Sequence, residues 1–156
     1  MKYVVILDET SGDKEWFLNG KRHREDGPAI EWANGDKHWY QNDLCHREDG
    51  PAVEYASGSK YWYQNDKYHR LDGPAIEYPN GDKCWYINGI PHREDGPASI
   101  RPGVYEEWYI DGRLHREDGP AIEWIDGTKF WYLDGNQISC RTNKEFLRIV
   151  KLKAFW

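Results

Sequence analysis

Polar and apolar positions alternate in short runs along this chain. Ala29-Ile30-Glu31-Trp32 runs small, apolar, charged, aromatic; Ala33-Asn34-Gly35-Asp36 interrupts; Lys37-His38-Trp39-Tyr40-Gln41 resumes the alternation. Period-two runs on either side of Asn-Gly predict a β-hairpin, because both central residues of its tight turn need φ > 0. Ser57-Gly58, Asn80-Gly81 and Asp126-Gly127 occupy the same place further along. A second break follows each run, at Asn19-Gly20, Asn42-Asp43, Asn65-Asp66, Asn88-Gly89, Asp111-Gly112 and Asp134-Gly135. With a two-residue Asn-Gly loop, Ile30 faces Trp39 and Trp32 faces Lys37 on one side of the sheet. Ala29 then faces Tyr40, and Glu31 faces His38, on the other.

The pattern repeats. His23, His46, His69, His92 and His115 lie 23 residues apart, and Trp16, Trp39, Trp62, Trp85, Trp108 and Trp131 keep the same period. A fixed period of this length marks a repeat array. It predicts an all-β fold: a single-layer stack of β-hairpins, an open solenoid of about six repeats over residues 1–137. Burying one Trp and one Ile per repeat stabilises by roughly 3–5 kcal/mol, so several repeats and a cap at each end are needed. Residues 138–156 leave the pattern. Thr142-x-x-Glu145 is a capping box, and Phe146, Ile149, Val150 and the stem of Lys153 follow at helical spacing, with Leu147, Leu152, Phe155 and Trp156 nearby. A basic amphipathic α-helix of about three turns is expected there. It serves as a cap on the open sheet edge or, alternatively, as a homodimer contact.

Composition changes this picture in three ways. Only 38% of the 156 residues are apolar and 31% are charged, which leans toward disorder. Nine Trp, eleven Tyr and four Phe oppose that with large buriable rings. The net charge of −6 hides a tail of +4 on a body of −10; an acidic body disfavours nucleic acid, whose binding rests on cations that neutralise phosphates. Cys45, Cys84 and Cys140 form no zinc-like or disulfide-framework spacing, which points to a reducing compartment. No stretch approaches a membrane span, and the apolar run after Met1 is too short for a signal peptide. The expected location is the cytoplasm, a host's cytoplasm for a viral chain.

The His-Arg-x-Asp-Gly-Pro-Ala segment invites a catalytic reading. Equivalent atoms of neighbouring repeats should lie on the order of 10 Å apart, too far for shared zinc ligation at about 2 Å. His-Arg-Asp without a glycine-rich loop and a metal-binding Asp-Phe-Gly is not a kinase site. No catalytic residue, metal ligand or cofactor is therefore assigned. Asp26 and its equivalents are expected to accept turn N–H bonds, and Arg24 and its equivalents to pair with a carboxylate.

The spacing resembles the MORN repeat family. Tyr86-Ile87-Asn88-Gly89-Ile90-Pro91-His92 and Phe17-Leu18-Asn19-Gly20-Lys21-Arg22-His23 fit that family's aromatic, Asn-Gly and His positions, and the likeness covers roughly residues 1–137. After the His, this chain has Arg-x-Asp-Gly-Pro-Ala where MORN units carry Gly-x-Gly. The "HRxDGPA" wording is similar to arrays in proteins of tailed phages and giant viruses. The resemblance implies a hairpin-stack scaffold that binds proteins or peptides.

If recurring residues build the frame, specificity belongs to the positions that vary. One strand position holds Glu15, His38, Tyr61, Cys84, Glu107 and Phe130. On the pairing above it shares a face with Tyr40, Tyr63 and Tyr86 and with the Glu31, Glu54, Glu77 and Glu123 row. In the fourth hairpin Arg101 and Tyr105 break the pattern around Pro102-Gly103. Partner contacts are therefore expected at His38, Tyr40, Tyr61, Tyr63, Tyr86, Arg101, Tyr105 and Phe130. Such rings beside carboxylates suit a basic protein or peptide segment. The expected function is non-enzymatic: a phage-encoded protein that engages a host protein to inhibit or scaffold it. The alternative is a sponge for a nucleotide signal, held between the aromatic rows.

Overall fold

A computed structural model describes residues 3–153 and contains 22 short strands and one helix, Asn143–Lys153. The protein is all-β with a C-terminal helix. Phe155 and Trp156, invoked for the tail, lie outside the described residues, as does the Lys153 side chain. Two compact units divide the chain: residues up to Asn80 with Tyr86–Gly89 form one, and Gly81–Trp85 with the residues from Ile90 onward form the other.

In the first unit seven antiparallel strands follow one another in chain order: Val4–Leu7, Lys14–Leu18, Ile30–Glu31, Lys37–His38, Val53–Glu54, Lys60–Tyr61 and Ile76–Glu77. Smaller hairpins, Tyr40–Gln41 with Leu44–Cys45 and Tyr63–Gln64 with Lys67–Tyr68, lie off this path. Each full repeat thus makes two hairpins, not one.

The register corrects the expected pairing. Ile30 pairs with His38 and Glu31 with Lys37. The Trp32 N–H donates to the Asp36 carbonyl at 3.0 Å and the Gly35 N–H to the Trp32 carbonyl at 2.9 Å. Only Gly35 of this loop has positive φ, 97°, so the loop has three residues, a type I turn closed by a glycine bulge. The two-residue turn is the second one: Asn42 and Asp43 have φ of 54° and 70° between the Gln41–Leu44 pair. One extra loop residue reverses which face each side chain takes. Ile30, Trp32, His38 and Tyr40 share one face; Glu31, Lys37 and Trp39 take the other.

The second face carries the frame. Each Arg of the His-Arg segment lays its guanidinium 4.0–4.2 Å over the Trp eight residues before it: Arg24 on Trp16, Arg47 on Trp39, Arg70 on Trp62, Arg93 on Trp85 and Arg116 on Trp108. The same group is clamped at its edges. Arg47 Nε donates to Asp49 at 2.8 Å, and Nη1 donates to the Pro51 carbonyl and to Glu54, both at 3.1 Å. Arg24, Arg70 and Arg116 repeat all three bonds. Arg93 keeps the first two, because Ile100 stands where the others have Glu. The repeated Asp therefore accepts from Arg, not from turn N–H groups as expected. The glycine that recurs in each repeat fits the same clamp: a Cβ on Gly50 would lie 2.9 Å from the Arg47 guanidinium carbon. Beneath lie Ala29, Ala52, Ala75 and Ala121, fully buried.

The imidazoles brace turns. Nδ1 of His23, His46 and His69 accepts the N–H of Asn42, Asn65 and Asn88 at 3.2–3.3 Å; His92 and His115 do the same for Asp111 and Asp134. Each imidazole thus serves its own turn, which is a structural task repeated five times.

In the second unit Lys83–Cys84, Ser99–Arg101, Tyr105–Glu107, Ile122–Trp124, Lys129–Leu133 and Asn136–Ile138 are successive antiparallel neighbours. Thr142 Oγ accepts the Glu145 N–H at 3.2 Å, while Glu145 reaches back to the Arg141 N–H at 2.9 Å. This is the predicted capping box with its return bond one residue earlier. Phe146 is fully buried, and Asn143 ties the helix to Trp131 Nε1 and to the Asp118 carbonyl.

Two stability measurements check this frame. Gly50→Ala should cost about 1–2 kcal/mol in urea unfolding by lifting Arg47 off Trp39. In an Arg47→Ala background the same glycine change should cost far less, because the clash is gone. The second concerns Asp43, whose carboxylate accepts the Arg22 N–H at 2.8 Å from an αL backbone. Asp43→Gly relieves strain while losing the bond and should be within about 0.5 kcal/mol of the parent. Asp43→Ala loses the bond and keeps the strain, and should cost about 1–2 kcal/mol.

Candidate binding groove

The varied strand position lies on the face opposite the frame. His38 is opposite Ile30 and Val53, and Tyr61 is opposite Val53 and Ile76. It does not share a face with the Glu row: Glu31, Glu54, Glu77 and Glu123 bond Arg side chains on the frame side. The expected flanking carboxylates are thus already engaged.

Six tyrosines and His38 of the first unit gather around one open groove of about 400 Å³. Four of the expected contact residues line it: His38, Tyr40, Tyr61 and Tyr63. A fifth, Tyr86, packs its ring 5.4 Å from Tyr68, which also lines it. The wall rings meet edge to face, His38 on Tyr55 at 5.7 Å, Tyr55 on Tyr61 at 5.6 Å and Tyr61 on Tyr78 at 5.7 Å, and Trp32 outside the lining packs on His38 at 4.3 Å. Tyr63 and Tyr68 lie closer to parallel at 4.3 Å. Alternating edges and faces are the favourable geometry for rings with a negative face and a positive rim. The floor is Val53 and Cys45, packed on the fully buried Ala52.

Burial sets the chemistry. It pushes the Cys45 thiol up to about 12, so this is a packing residue with no thiolate at neutral pH. Burial, then the hydrogen bond with Tyr78, raises the Tyr61 hydroxyl; burial, then the bond with Tyr68, raises Tyr63. Burial also holds His38 below its ordinary value, against the pull of Asp36, and its Nε2 is buried without a protein hydrogen-bond partner. These groups stay neutral at pH 7. The lining carboxylate is Asp66, whose Oδ1 accepts the Cys45 N–H at 2.7 Å. Neither Lys nor Arg lines the groove among the described residues.

The remaining expected residues belong to the second unit and do not line this groove. Arg101 ion-pairs with Asp82 at 3.3 Å and lies 5.9 Å from the Tyr105 ring centroid. Tyr105 packs on Trp124 at 5.2 Å, and the three border a separate cavity of about 270 Å³. Phe130 pairs with Ile122 and lines neither. Sequence reasoning missed Tyr55, Tyr68, Tyr78 and Asp66. Tyr68 occupies the position before the repeated His, which holds Arg22, Cys45, Pro91 and Leu114 elsewhere. That variation was visible in the same comparison among repeats that flagged Tyr61.

No family model matches this chain, and no curated protein matches it. No helix among the described residues is long and apolar enough to cross a membrane, which says nothing about a β-barrel.

The depressed His38 predicts an acid-side loss of stability. The unfolded chain takes up a proton near the ordinary value of 6.5, whereas the folded chain resists until lower pH. In that window the unfolded state binds more protons, so stability falls as pH drops. Asp26, Asp49, Asp72 and Asp95, held low first by hydrogen bonds from Arg, lose their contribution around and below their ordinary value of 3.8, under the His38 window. Urea midpoints at pH 7.5 and 5.0 should therefore converge in His38→Phe relative to the parent.

Proposed function

We propose that this chain is a non-enzymatic binding protein, a MORN-like hairpin array that takes a basic segment of another protein in its tyrosine groove. The observation that carries this reading is the coincidence of variation and openness. The recurring Arg, Trp and Glu side chains are locked together on one face, and on the other the varied His38, Tyr61 and Tyr68 meet the recurring Tyr40 and Tyr63 around an open aromatic groove. Tyr and Trp supply large contact area at low entropic cost, and rings at a groove centre are the usual anchors of protein recognition. An acidic body attracts a basic partner and speeds the encounter. The likeness of the repeat wording to viral arrays gives the proposal its sharpest form, a virally encoded chain that occupies and inhibits a host protein. The helix offers a second contact or a homodimer seam of its own, through Leu147 and Leu152, both exposed.

A nucleotide sponge fits the groove less well. Phosphates would meet Asp66 with no Lys or Arg in the lining to neutralise them, and Arg101 is already paired.

The test is affinity capture from the native host, followed by reconstitution with the purified captured protein. The parent and a chain ending at Gln137 are compared with Tyr61→Leu. Binding should weaken at least tenfold in Tyr61→Leu and should fall with added salt. A partner that binds both full-length forms equally, or calorimetric heat with a nucleotide panel instead, overturns the reading.

A further inference from the structure

We infer that the tyrosine groove is an arginine-side-chain receptor: the guanidinium of a partner's arginine lies flat on the Tyr61 and Tyr68 rings with Asp66 at its edge. This rests on the protein-binding reading above and names the group that reading leaves open.

The first support is charge. The lining contains rings, neutral hydroxyls and one carboxylate, and no cation among the described residues. An aromatic face attracts a cation through its quadrupole, most strongly where water is displaced. A neutral His38 does not oppose it.

The second support is internal precedent. This chain holds five guanidinium groups of its own on aromatic faces at 4.0–4.2 Å, each with at least one carboxylate at its edge. Ring below and carboxylate beside is thus the arrangement that the repeats already impose on arginine. The groove offers the same two elements, but no arginine of the chain fills it.

The third support is selectivity between cations. A guanidinium is planar and weakly hydrated, so it leaves water for a ring face at lower cost than a compact ammonium. The groove walls are ring edges and faces in alternation, with Tyr55–Tyr61 at 83° and Tyr61–Tyr78 at 88°. Tyr55 and Tyr78 stand open to solvent at the mouth, 40% and 38% exposed, which leaves a path for a side chain attached to a protein surface.

The experiment titrates the full chain by calorimetry with a capped Gly-Ser hexapeptide carrying two arginines. Parallel titrations use the same peptide with lysine or with citrulline, which keeps the shape and removes the charge. The arginine peptide should bind at least tenfold more tightly than the citrulline peptide and several-fold more tightly than the lysine peptide. Tyrosine ring resonances should shift in step with binding. Tyr61→Leu and Tyr55→Leu should each weaken binding tenfold, while Tyr61→Phe stays within twofold; the mouth position guards against a Tyr61 variant that misfolds. Equal binding of arginine and citrulline peptides, no binding at all, or binding that ignores both Leu variants overturns the inference. In that last case the basic-segment reading survives at another surface, whereas failure to reconstitute any captured partner removes the reading itself.

Discussion

The whole fold depends on one stacked pair, an arginine guanidinium lying on a tryptophan ring. A chain with so few aliphatic residues cannot build a deep core, and apart from Phe146 its fully buried side chains among the described residues are alanines. Arginine supplies what the missing volume would have supplied. Its face covers the ring, and its edges bond Asp, a Pro carbonyl and, in four of five cases, a strand Glu. A single side chain therefore ties the long hairpin to the turn that follows it. The Gly-Pro step belongs to the same clamp: glycine leaves room for the guanidinium, and the carbonyl of proline receives its N–H. The carboxylates at the rim are more than three-quarters exposed at Asp26, Asp49 and Asp118, so water screens their charge. The ring contact and the partly buried Glu bond carry more of the stabilisation.

Much of this was legible in the sequence, and the part that was not has a definite cause. The 23-residue period, the turns, the all-β class and the capping box at Thr142 were all readable, because each rests on a local signal. The register was not. Asn34-Gly35 is compatible with a two-residue and a three-residue loop, and the two differ only in whether Asn34 takes positive φ. The better sign of a two-residue turn was the other break, where Asn or Asp precedes Gly or Asp in every repeat and both residues sit at positive φ. Giving that loop two residues moved Trp39 to the face of Ile30 and put the Glu row beside Tyr61. The structure separates them, which is why Glu54 belongs to Arg47 and not to a ligand.

The groove was half legible for the same reason. Tyr61 and His38 stood out because they vary on a regular strand. Tyr68 and Asp66 vary too, but they lie on the small hairpin, whose turn reads, in sequence alone, as a connection to the next segment. Two repeats carry Asp where the others have Gly in that turn, at Asp43 and Asp66. An αL aspartate is strained, yet each carboxylate repays part of that strain by accepting a backbone N–H from the preceding repeat, Arg22 in one case and Cys45 in the other. Glycine makes no such bond and brings no charge. At Asp66 the exchange has a second consequence, because the carboxylate that caps Cys45 also borders the tyrosine groove. The one negative charge in the aromatic lining is therefore held by the turn chemistry of the scaffold itself. A site of this kind needs no departure from the repeat: it needs rings at the open strand positions and an acid where a turn would otherwise take glycine.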